Sequence, residues 1–421
     1  MKTNKLITAA ISILLLLQSV CLFACSEDFE KSSPSASDSA TKNVQKNDML
    51  YGICYPYSER EGEGFLQKDI VLMDNLGVGC VRNWMHITDL LQSKSKINAA
   101  ACEKMHGILA LQKEKNMTII GMSHTNFNGG GALSGKPERN IEKGSEYLTW
   151  LFNYYTSWKT LAREFPEVEY WEIENEINNA DFMKNTQGEA VYSLKEMADI
   201  STDMLYYASR AIHSVNPKAK TVLGGITEPR GLGNGENTAF LELLYQNIKS
   251  GEFGYFYGLE DRATASADPD DYFEIACWHP YVWTEFDKSF FINENKKIYD
   301  VILKYEPNGK DVFFTEIGFS NENKTEETTS RYLTLMFEAV KESMPYVKTV
   351  NYFKMFDVAK KTWTGRFSRY GLFYDSGNNV YAQAVGDTVT PLKNGAPKLT
   401  AYTFQQLAGG KGTLELYNRK S

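Results

Sequence analysis

A short apolar run that ends in acidic residues decides the fold: YWEIENEIN, Tyr170–Asn178. A second run of the same kind, FFTEIGF, covers Phe313–Phe319. Both are rich in aromatic and β-branched residues, as buried strands are, and both turn polar near the C-terminal edge. Glu176 and Glu316 lie at these two edges. Because the two acids are far apart along the chain, only a fold that gathers strand ends at one rim brings them together.

Six further runs of this type occur between residues 48 and 410, and amphipathic stretches of helical period separate them. The predicted strands are Leu50–Tyr55, Val78–Asn83, Met117–Ser123, Glu169–Glu174, Lys220–Ile226, Phe273–His279, Asp311–Glu316 and Lys348–Phe356. The predicted helices are Phe65–Leu76, Ala99–Lys115, Ser145–Phe165, Leu194–Ser214, Ala239–Lys249, Phe290–Tyr305, Glu326–Met344 and Ala396–Leu407. This alternation predicts an α/β fold, a (β/α)8 TIM barrel, as a single catalytic domain over residues 48–410. A doubly wound sheet is the alternative, but no Gly-rich turn follows the first strand.

A carboxyl pair at one barrel rim suits the hydrolysis of glycosidic bonds. That reaction needs one protonated carboxyl, which gives a proton to the leaving oxygen, and one carboxylate, which attacks the sugar carbon. Their surroundings must therefore favour opposite protonation states. Asn175, directly before Glu176, offers an amide for the sugar hydroxyl beside the reacting carbon. Because active groups of such barrels lie where the strands end, these residues are candidates for a catalytic site.

The dipeptide Asn175-Glu176 and the TEIG sequence around Glu316 resemble the clan A glycoside hydrolases. The stretch that leads into Glu176 is most similar to families 5 and 39, and the resemblance covers residues 50 to 408. It implies that Glu176 is the acid/base and Glu316 the nucleophile. It also implies retention of configuration through a glycosyl-enzyme intermediate, with the two carboxyls about 5 Å apart.

The same resemblance assigns supporting roles to three further residues. Arg82, near the end of the second strand, matches an arginine that supports the nucleophile, since a nearby cation keeps a carboxyl ionised. His279 and Tyr281 match a His-x-Tyr pattern after the sixth strand. This pattern implies that Tyr281 hydrogen-bonds Glu316 and that His279 lines the sugar subsite.

Four more side chains near strand ends are predicted to line the cleft: His124, Asn126, Trp84 and Trp363. Imidazole, amide and indole groups bind sugars by hydrogen bonding and stacking, although each also fills ordinary structural sites. The eighth strand lacks the Trp that often floors the sugar subsite in the clan, and Lys354 or Phe356 stands near that place. His106 and His213 lie in predicted helices, where structural roles are expected.

The first 47 residues have the layout of an exported lipoprotein. A positive N-terminus precedes an apolar run, Leu6–Val20, that is short for a membrane span. The sequence LFAC that follows resembles a bacterial lipoprotein cleavage box, which implies acylation of Cys25. An ordinary signal peptide or membrane anchor is the alternative. The predicted segments are a signal peptide over residues 1–24, a flexible tether over 25–47 and a C-terminal tail over 411–421. We expect a protein anchored by lipid to the bacterial cell envelope, at the outer membrane or cell surface.

Composition and motifs exclude several other functions. The net charge is −8 and no basic cluster follows the N-terminus, which argues against nucleic acid as a partner. The sequence GGALSGKP mimics a phosphate loop but has Pro137 where a hydroxyl must hold magnesium, and the glycines of Gly231–Gly235 miss the dinucleotide spacing. Metal motifs such as His-Glu-x-x-His and Cys-x-x-Cys are missing from the sequence, so no metal or cofactor is expected. Cys54, Cys80 and Cys277 lie in apolar strands and are predicted to be buried thiols.

The sequence therefore predicts a retaining β-glycoside hydrolase that acts on an extracellular poly- or oligosaccharide. A non-catalytic surface glycan-binding lipoprotein is the alternative, and it would not need both acids. A transglycosylase would share the covalent intermediate. The sugar, the linkage, internal or terminal attack and the oligomeric state stay open, because cleft shape depends on loops 126–144, 227–238 and 253–271.

Overall fold

Parallel strands and surface helices alternate along the chain in the computed structural model, which describes residues 49–55, 67–125, 135–357, 369–374 and 395–414. The strands are β1 (Leu50–Tyr55), β2 (Cys80–Trp84), β3 (Leu91–Ser93), β4 (Lys96–Ile97), β5 (Thr118–Ser123), β6 (Tyr170–Ile173), β7 (Lys220–Leu223), β8 (Ile226–Thr227), β9 (Ala276–His279), β10 (Val312–Ile317) and β11 (Val347–Tyr352). The helices are α1 (Gln67–Leu76), α2 (Ile87–Leu90), α3 (Ala99–Glu114), α4 (Glu146–Glu164), α5 (Leu194–His213), α6 (Glu236–Lys249), α7 (Lys288–Tyr305), α8 (Glu326–Ser343) and α9 (Leu399–Ala408). Within the described ranges, none of the helices has both the length and the apolar character needed to span a bilayer.

Nine strand segments form one parallel sheet in the order β7-β6-β5-β2-β1-β11-β10-β9-β8. The fifth barrel strand is divided into β7 and β8, and a bridge between Val222 and Ile275 brings the two edges of the sheet together. The predicted (β/α)8 barrel is confirmed. Because all these strands are parallel, their C-terminal ends meet at one rim, which is where barrels of this kind hold their active groups.

The alternation of side chains along β6 separates the helix layer from the barrel interior. Trp171 packs edge-on against Trp158 of α4, with ring centroids 5.8 Å apart. The next residue, Glu172, points the other way and contacts groups of β2 and β10. Side-chain caps fix the start of several helices, and α5 begins with a capping box formed by Ser193 and Glu196. Pairing with β5 and β7 sets the register of β6, and the residues after it lie at the rim.

The predicted strand Lys220–Ile226 is wrong in one respect, because it is not continuous. It breaks at Gly224 and Gly225, where a side chain has no room. A Cβ on Gly224 would lie 2.2 Å from the carbonyl oxygen of Ile173, and one on Gly225 would lie 2.2 Å from Nε2 of His279. The break lets neighbouring groups approach the backbone closely, which is a recurrent use of glycine in strands.

No predicted element covers residues 85–98, where α2 and the antiparallel hairpin β3–β4 lie. These elements are short and largely polar, so periodicity gives little signal. Longer-range bonds hold them instead. The backbone N–H of Asn98 donates to the carbonyl oxygen of Leu90 at 2.7 Å, and its side chain donates to that of Asp89 at 3.2 Å.

The four cysteines within the described ranges are buried and form no disulfide with one another: Cys54, Cys80, Cys102 and Cys277. The three that were predicted in strands lie there, so the expectation of buried thiols is confirmed. Burial raises the pKa of the Cys54 and Cys80 thiols to about 12. A thiol with so high a pKa stays protonated and unreactive at neutral pH.

Candidate active site

A turn after β6 carries Glu176 toward the strand that holds Glu316. The strand ends at Ile173, and Glu174 and Glu176 both adopt positive φ, at 70° and 47°. Such values are uncommon for residues other than glycine and often mark functional turns. One carboxyl oxygen from each of Glu176 and Glu316, together with a ring nitrogen of His279, lie within 4.8 Å of one another. This is the spacing at which two carboxyls can act on the two sides of one glycosidic bond with retention.

Arg82 joins the nucleophile candidate to Glu172 in β6 and to Asn175 in the turn after it. Its Nη1 atom donates to Oε1 of Glu316 at 2.5 Å, and its Nη2 atom donates to Oδ1 of Asn175 at 2.7 Å. The rest of the guanidinium binds Glu172, with Nε 2.6 Å from Oε2 and Nη2 2.7 Å from Oε1. The side chain is fully buried, and its bonds to two carboxylates raise the pKa of Arg82 even though burial opposes the charge. A permanent cation therefore lies against Glu316.

Tyr281 binds the second oxygen of Glu316. Its hydroxyl donates to Oε2 at 3.1 Å. Burial, followed by the charge of Glu316, raises the pKa of Tyr281 well above its usual range, so the phenol keeps its proton and remains a donor. Both oxygens of Glu316 thus accept hydrogen bonds, and this arrangement stabilises the ionised form.

Glu176 has different neighbours. Its Oε2 atom accepts a bond from the side-chain amide of Asn179 at 2.8 Å, and its Oε1 atom lies 3.2 Å from Nδ1 of His279. An amide and an imidazole, rather than a guanidinium, therefore contact this carboxyl. The two acids thus occupy unlike environments, as opposite roles in catalysis require.

A supporting layer beneath the pair was not recognised as functional from the sequence. Thr315 lies 3.0 Å from Nε2 of His279 and 3.1 Å from Oε1 of Glu172. The N–H of Gly225 also donates to Glu172, at 3.2 Å. The sequence contains one signal for this layer, the charged residue Glu172 within a central strand. A buried charge needs a partner, and Arg82 in β2 is that partner.

Of the other predicted cleft residues, His124 and Trp84 lie within the described ranges. His124 is buried with its ring edge-on to His86, 4.2 Å away, and burial together with the charges of His86 and Lys136 holds its pKa well below the usual value. Trp84 is half-buried at the end of β2, with its ring 5.6 Å from that of His86. Asn126, Trp363 and Cys25 lie outside the described residues.

Phe353, directly after the eighth barrel strand, packs beside Tyr281, and the expectation that Lys354 or Phe356 stands near the subsite floor stays a prediction. Phe353 belongs to a buried cluster with Cys54, Tyr281 and Tyr370. Phe356 packs instead on Phe373, with centroids 5.7 Å apart. The register explains the difference, because β11 ends at Tyr352 and the chain turns earlier than its apolar run suggests.

Among the residues that the structure describes, two groups of side chains have the donor types of a metal site, and both involve His279. One consists of Glu176, His279 and Glu316, the other of Glu172, Cys277 and His279. In the first group the bound guanidinium of Arg82 already neutralises Glu316. In the second, Cys277 is a thiol whose pKa burial raises well above its usual range, whereas metals bind the thiolate. The expectation that no metal is needed stays a prediction.

The phosphate-loop mimic has a structural lysine. Lys136 is buried, and its ammonium donates to the hydroxyl of Thr125 at 2.6 Å and to the carbonyl oxygen of Phe182 at 2.9 Å. It also lies 3.6 Å from Oε2 of Glu174, which accepts bonds from Tyr154 and Thr125. This ammonium is bound to protein groups that fix the loops behind Glu176.

A parallel barrel with two unlike carboxyls on its C-terminal rim defines a glycosidase of the (β/α)8 class. The sequence matches the family model Cellulase (glycosyl hydrolase family 5) over residues 41–350. The chain belongs to glycosyl hydrolase family 5, and it is a clan A enzyme. The predicted resemblance to this clan is confirmed. No curated protein matches the chain by direct comparison of sequences.

Solved structures of three other proteins, among others, have the same fold. A family 39 glycoside hydrolase from the gut symbiont Bacteroides cellulosilyticus WH2 is 15% identical, with a TM-score of 0.56, over 87% of this chain and 65% of the other. The family 1 β-glucosidase from Thermotoga maritima is 14% identical, with a TM-score of 0.57, over 88% and 100%. The virulence factor SghA from Agrobacterium tumefaciens is 13% identical, with a TM-score of 0.55, over 86% and 97%. At such identities the likeness establishes the fold.

Proposed function

We propose that this chain is a retaining β-glycoside hydrolase that cleaves a poly- or oligosaccharide outside the cytoplasm. Glu316 is the nucleophile and Glu176 the acid/base. The observation that carries the proposal is the spacing of these two carboxyls, whose oxygens approach within 4.8 Å beside His279. Inverting enzymes need a wider gap, of about 6.5–9.5 Å, to admit a water molecule between the carboxyl and the sugar.

The unlike surroundings of the two acids support this division of roles. Arg82 and Tyr281 donate to separate oxygens of Glu316, which favours a carboxylate ready to attack. Glu176 contacts an amide and an imidazole, and neither is a permanent cation like the guanidinium beside Glu316. A protonated Glu176 can then donate its proton to the leaving oxygen.

The reaction proceeds in two balanced steps. In the first, Glu316 attacks the anomeric carbon while Glu176 gives its proton to the glycosidic oxygen, so the leaving sugar departs as an alcohol and an ester remains on Glu316. In the second, Glu176 takes a proton from water, and the resulting hydroxide attacks the anomeric carbon and releases the carboxylate of Glu316. Two inversions give net retention.

A surface cleft that includes Val282, the residue after Tyr281, offers room for neighbouring sugar units. It is lined by Trp283, Tyr370, Phe319, Ser320 and Lys324, among others. Tyr370 contacts Tyr281, with ring centroids 5.8 Å apart, which links this cleft to the carboxyl pair. Aromatic and polar groups together suit sugar faces and hydroxyls. Because the matching family is described as cellulase, β-glucan is the first polysaccharide to test.

The test is an assay of reducing ends on β-glucan, xylan, mannan and galactan, with product configuration followed by proton NMR. We expect release of β-configured product from one of them. Glu316→Gln should abolish turnover while substrate still binds, and Glu338→Gln serves as the matched control, because the partly exposed Glu338 on α8 pairs only with Lys288 among the described residues, at 3.5 Å. Glu176→Ala should cost about 10²–10⁴-fold on natural glycans but less on aryl glycosides with good leaving groups. Wild-type turnover by Glu316→Gln would refute the role of Glu316 as nucleophile. Equal losses by Glu176→Ala on natural glycans and on aryl glycosides would refute the role of Glu176 as acid.

We also propose that the chain is exported and held on the bacterial cell envelope by lipid on Cys25. The layout of residues 1–25 supports this, since a positive start, an apolar run and a cysteine after LFA are typical of lipoprotein signals. Labelling with a palmitate analogue, followed by membrane fractionation, tests the proposal. The wild type should carry label and sediment with the outer membrane, whereas Cys25→Ser should not. A labelled Cys25→Ser protein, or an unlabelled wild type, would contradict it.

A further inference from the structure

We infer that a hydrogen-bond chain of fixed direction runs from His279 through Thr315 to Glu172, and that it presents the unprotonated Nδ1 atom of His279 to Glu176. This hydrogen-bond chain thereby keeps the transferable proton on Glu176. This inference rests on the proposed function for the role of Glu176, but the direction of the hydrogen bonds follows from the contacts alone.

The hydrogen-bond chain ends at Glu172, whose carboxylate oxygens can only accept hydrogen bonds. Its Oε2 atom faces Nε of Arg82 at 2.6 Å, and its Oε1 atom faces Nη2 of Arg82 at 2.7 Å and the N–H of Gly225 at 3.2 Å. A guanidinium and a backbone N–H have no acceptor capacity. Both oxygens of this fully buried carboxyl therefore act as acceptors.

Thr315 then has one possible orientation. Its hydroxyl has a single proton, and Oγ1 lies 3.1 Å from Oε1 of Glu172 and 3.0 Å from Nε2 of His279. Because Glu172 cannot donate, the hydroxyl proton points to Glu172. Because that proton is used on Glu172, the bond to the thiol of Cys277, 3.1 Å away, must run from the thiol to Oγ1, and burial keeps the thiol protonated by raising the pKa of Cys277 well above its usual range. Oγ1 consequently accepts from His279.

The tautomer of His279 follows from this orientation. Nε2 carries the ring proton, so Nδ1 of the neutral imidazole has a bare lone pair. Nδ1 lies 3.2 Å from Oε1 of Glu176 and 3.9 Å from Oε2 of Glu316. A lone pair facing two carboxylates would be repelled, whereas a protonated Glu176 donates to it. The ring is 1% exposed, and in so dry a place a neutral pair costs less than an imidazolium and a carboxylate.

This arrangement makes Glu172 and Thr315 positioning residues for the acid. The lone pair of Nδ1 stabilises Glu176 while it holds its proton and destabilises it once the proton has left. The first effect keeps Glu176 protonated before bond cleavage. The second strengthens Glu176 as the base that deprotonates water in the following step.

Nitrogen-15 NMR of the resting enzyme, labelled at histidine, tests the tautomer without reference to catalysis. The chain has 5 histidines, and His279→Gln identifies the signal by its loss. We expect a neutral ring with its proton on Nε2 near neutral pH. A proton on Nδ1, or an imidazolium, would overturn the inference. Inactivity of the enzyme towards all glycans would refute the proposed function but would leave the tautomer of His279 unaffected.

A pair of variants at position 315 tests the consequence for catalysis. Thr315→Val keeps the shape but removes the hydroxyl, and Thr315→Ser restores it. We expect the Val variant to lose about 10–100-fold in kcat on natural glycans, with little change in KM. This loss is part of the rate enhancement that a general acid provides. Aryl glycosides with good leaving groups should lose less, and the Ser variant should recover most of the rate. Equal losses with both substrate types, or no recovery with Ser, would refute the positioning role.

Discussion

The imidazole of His279 occupies the space that a side chain at position 225 would need. A Cβ on Gly225 would lie 2.2 Å from Nε2 of His279 and 2.7 Å from its Cδ2 atom. The same glycine donates its N–H to Glu172. The break between β7 and β8 is therefore part of how the barrel seats this histidine against the acid.

Gly225→Ala should displace His279 and impair catalysis more than folding. Overpacking of this kind costs about 1–3 kcal/mol of stability. The displaced ring can no longer lie 3.2 Å from Glu176, so kcat on natural glycans should fall. Gly107→Ala is the matched control, because Gly107 is exposed in α3 with no atom within 4 Å of a new Cβ. Measurements of kcat and thermal unfolding compare the two, and an unimpaired Gly225→Ala enzyme would show that the contact is unimportant.

Tyr281→Phe should lower kcat without changing the fold. The variant loses one hydrogen bond to Oε2 of Glu316, and a bond to a charged group is worth about 1.5–3 kcal/mol, or about 10–100-fold in rate. Tyr352→Phe is a suitable control, since Tyr352 packs on Phe404 and its hydroxyl donates to the carbonyl oxygen of Phe319. Equal rates for the two variants would indicate that the Tyr281 hydroxyl has no role in positioning Glu316.

Substitutions of Arg82 should separate charge from geometry. Arg82→Met leaves Glu172 buried without its cation, which should destabilise the fold by about 3–5 kcal/mol. Arg82→Lys keeps a charge but cannot reach Glu172, Asn175 and Glu316 at once. It should fold yet lose about 10–100-fold in kcat/KM. Denaturant titration and steady-state kinetics measure the two effects, and a Lys variant as active as the wild type would contradict the need for the planar fork.

The ion pair between His213 and Glu274 should make stability depend on pH. Nε2 of His213 lies 3.2 Å from Oε2 of Glu274, and this hydrogen bond raises the pKa of His213 above its usual 6.5. A raised pKa in the folded state stabilises the protein fully below the unfolded value, and the contribution is lost as pH rises through the folded value. For a partly exposed pair we expect about 0.5–1 kcal/mol.

The measurement is the free energy of unfolding of the wild type and of His213→Gln at about pH 5.5 and about pH 8.5. The wild type should exceed the variant by a larger margin at the lower pH. Other titrating groups cancel in this comparison because both proteins contain them. A margin that is the same at both values would show that the pair does not contribute.

Much of the barrel could be predicted because its strands are buried on both faces and its helices are amphipathic. The run Leu50–Tyr55 was predicted with its observed bounds, and most other elements differ by a few residues at their ends. The broken fifth strand could not be predicted, because two adjacent glycines are equally compatible with a continuous strand. What decides the break is a histidine from a neighbouring strand, His279, which is distant in the sequence.

The candidate site was only partly visible in the sequence. Glu176, Glu316, Arg82, His279 and Tyr281 could be proposed from motifs at strand ends, and the structure brings all five together. The layer beneath them could not be assigned in the same way. Threonine is an ordinary strand residue, so position 315 does not stand out in the sequence. Its importance comes from the three groups around its hydroxyl.

The burial of the four thiols means that the folded barrel shields them from oxidants and alkylating agents. A thiol reagent can reach them only when part of the barrel opens, so the rate of their modification reports how often it does so. The chain thus contains its own probe of breathing motions. Bound substrate, if it closes the rim over Cys54, should slow modification of that thiol more than that of Cys102, on the outer helix α3.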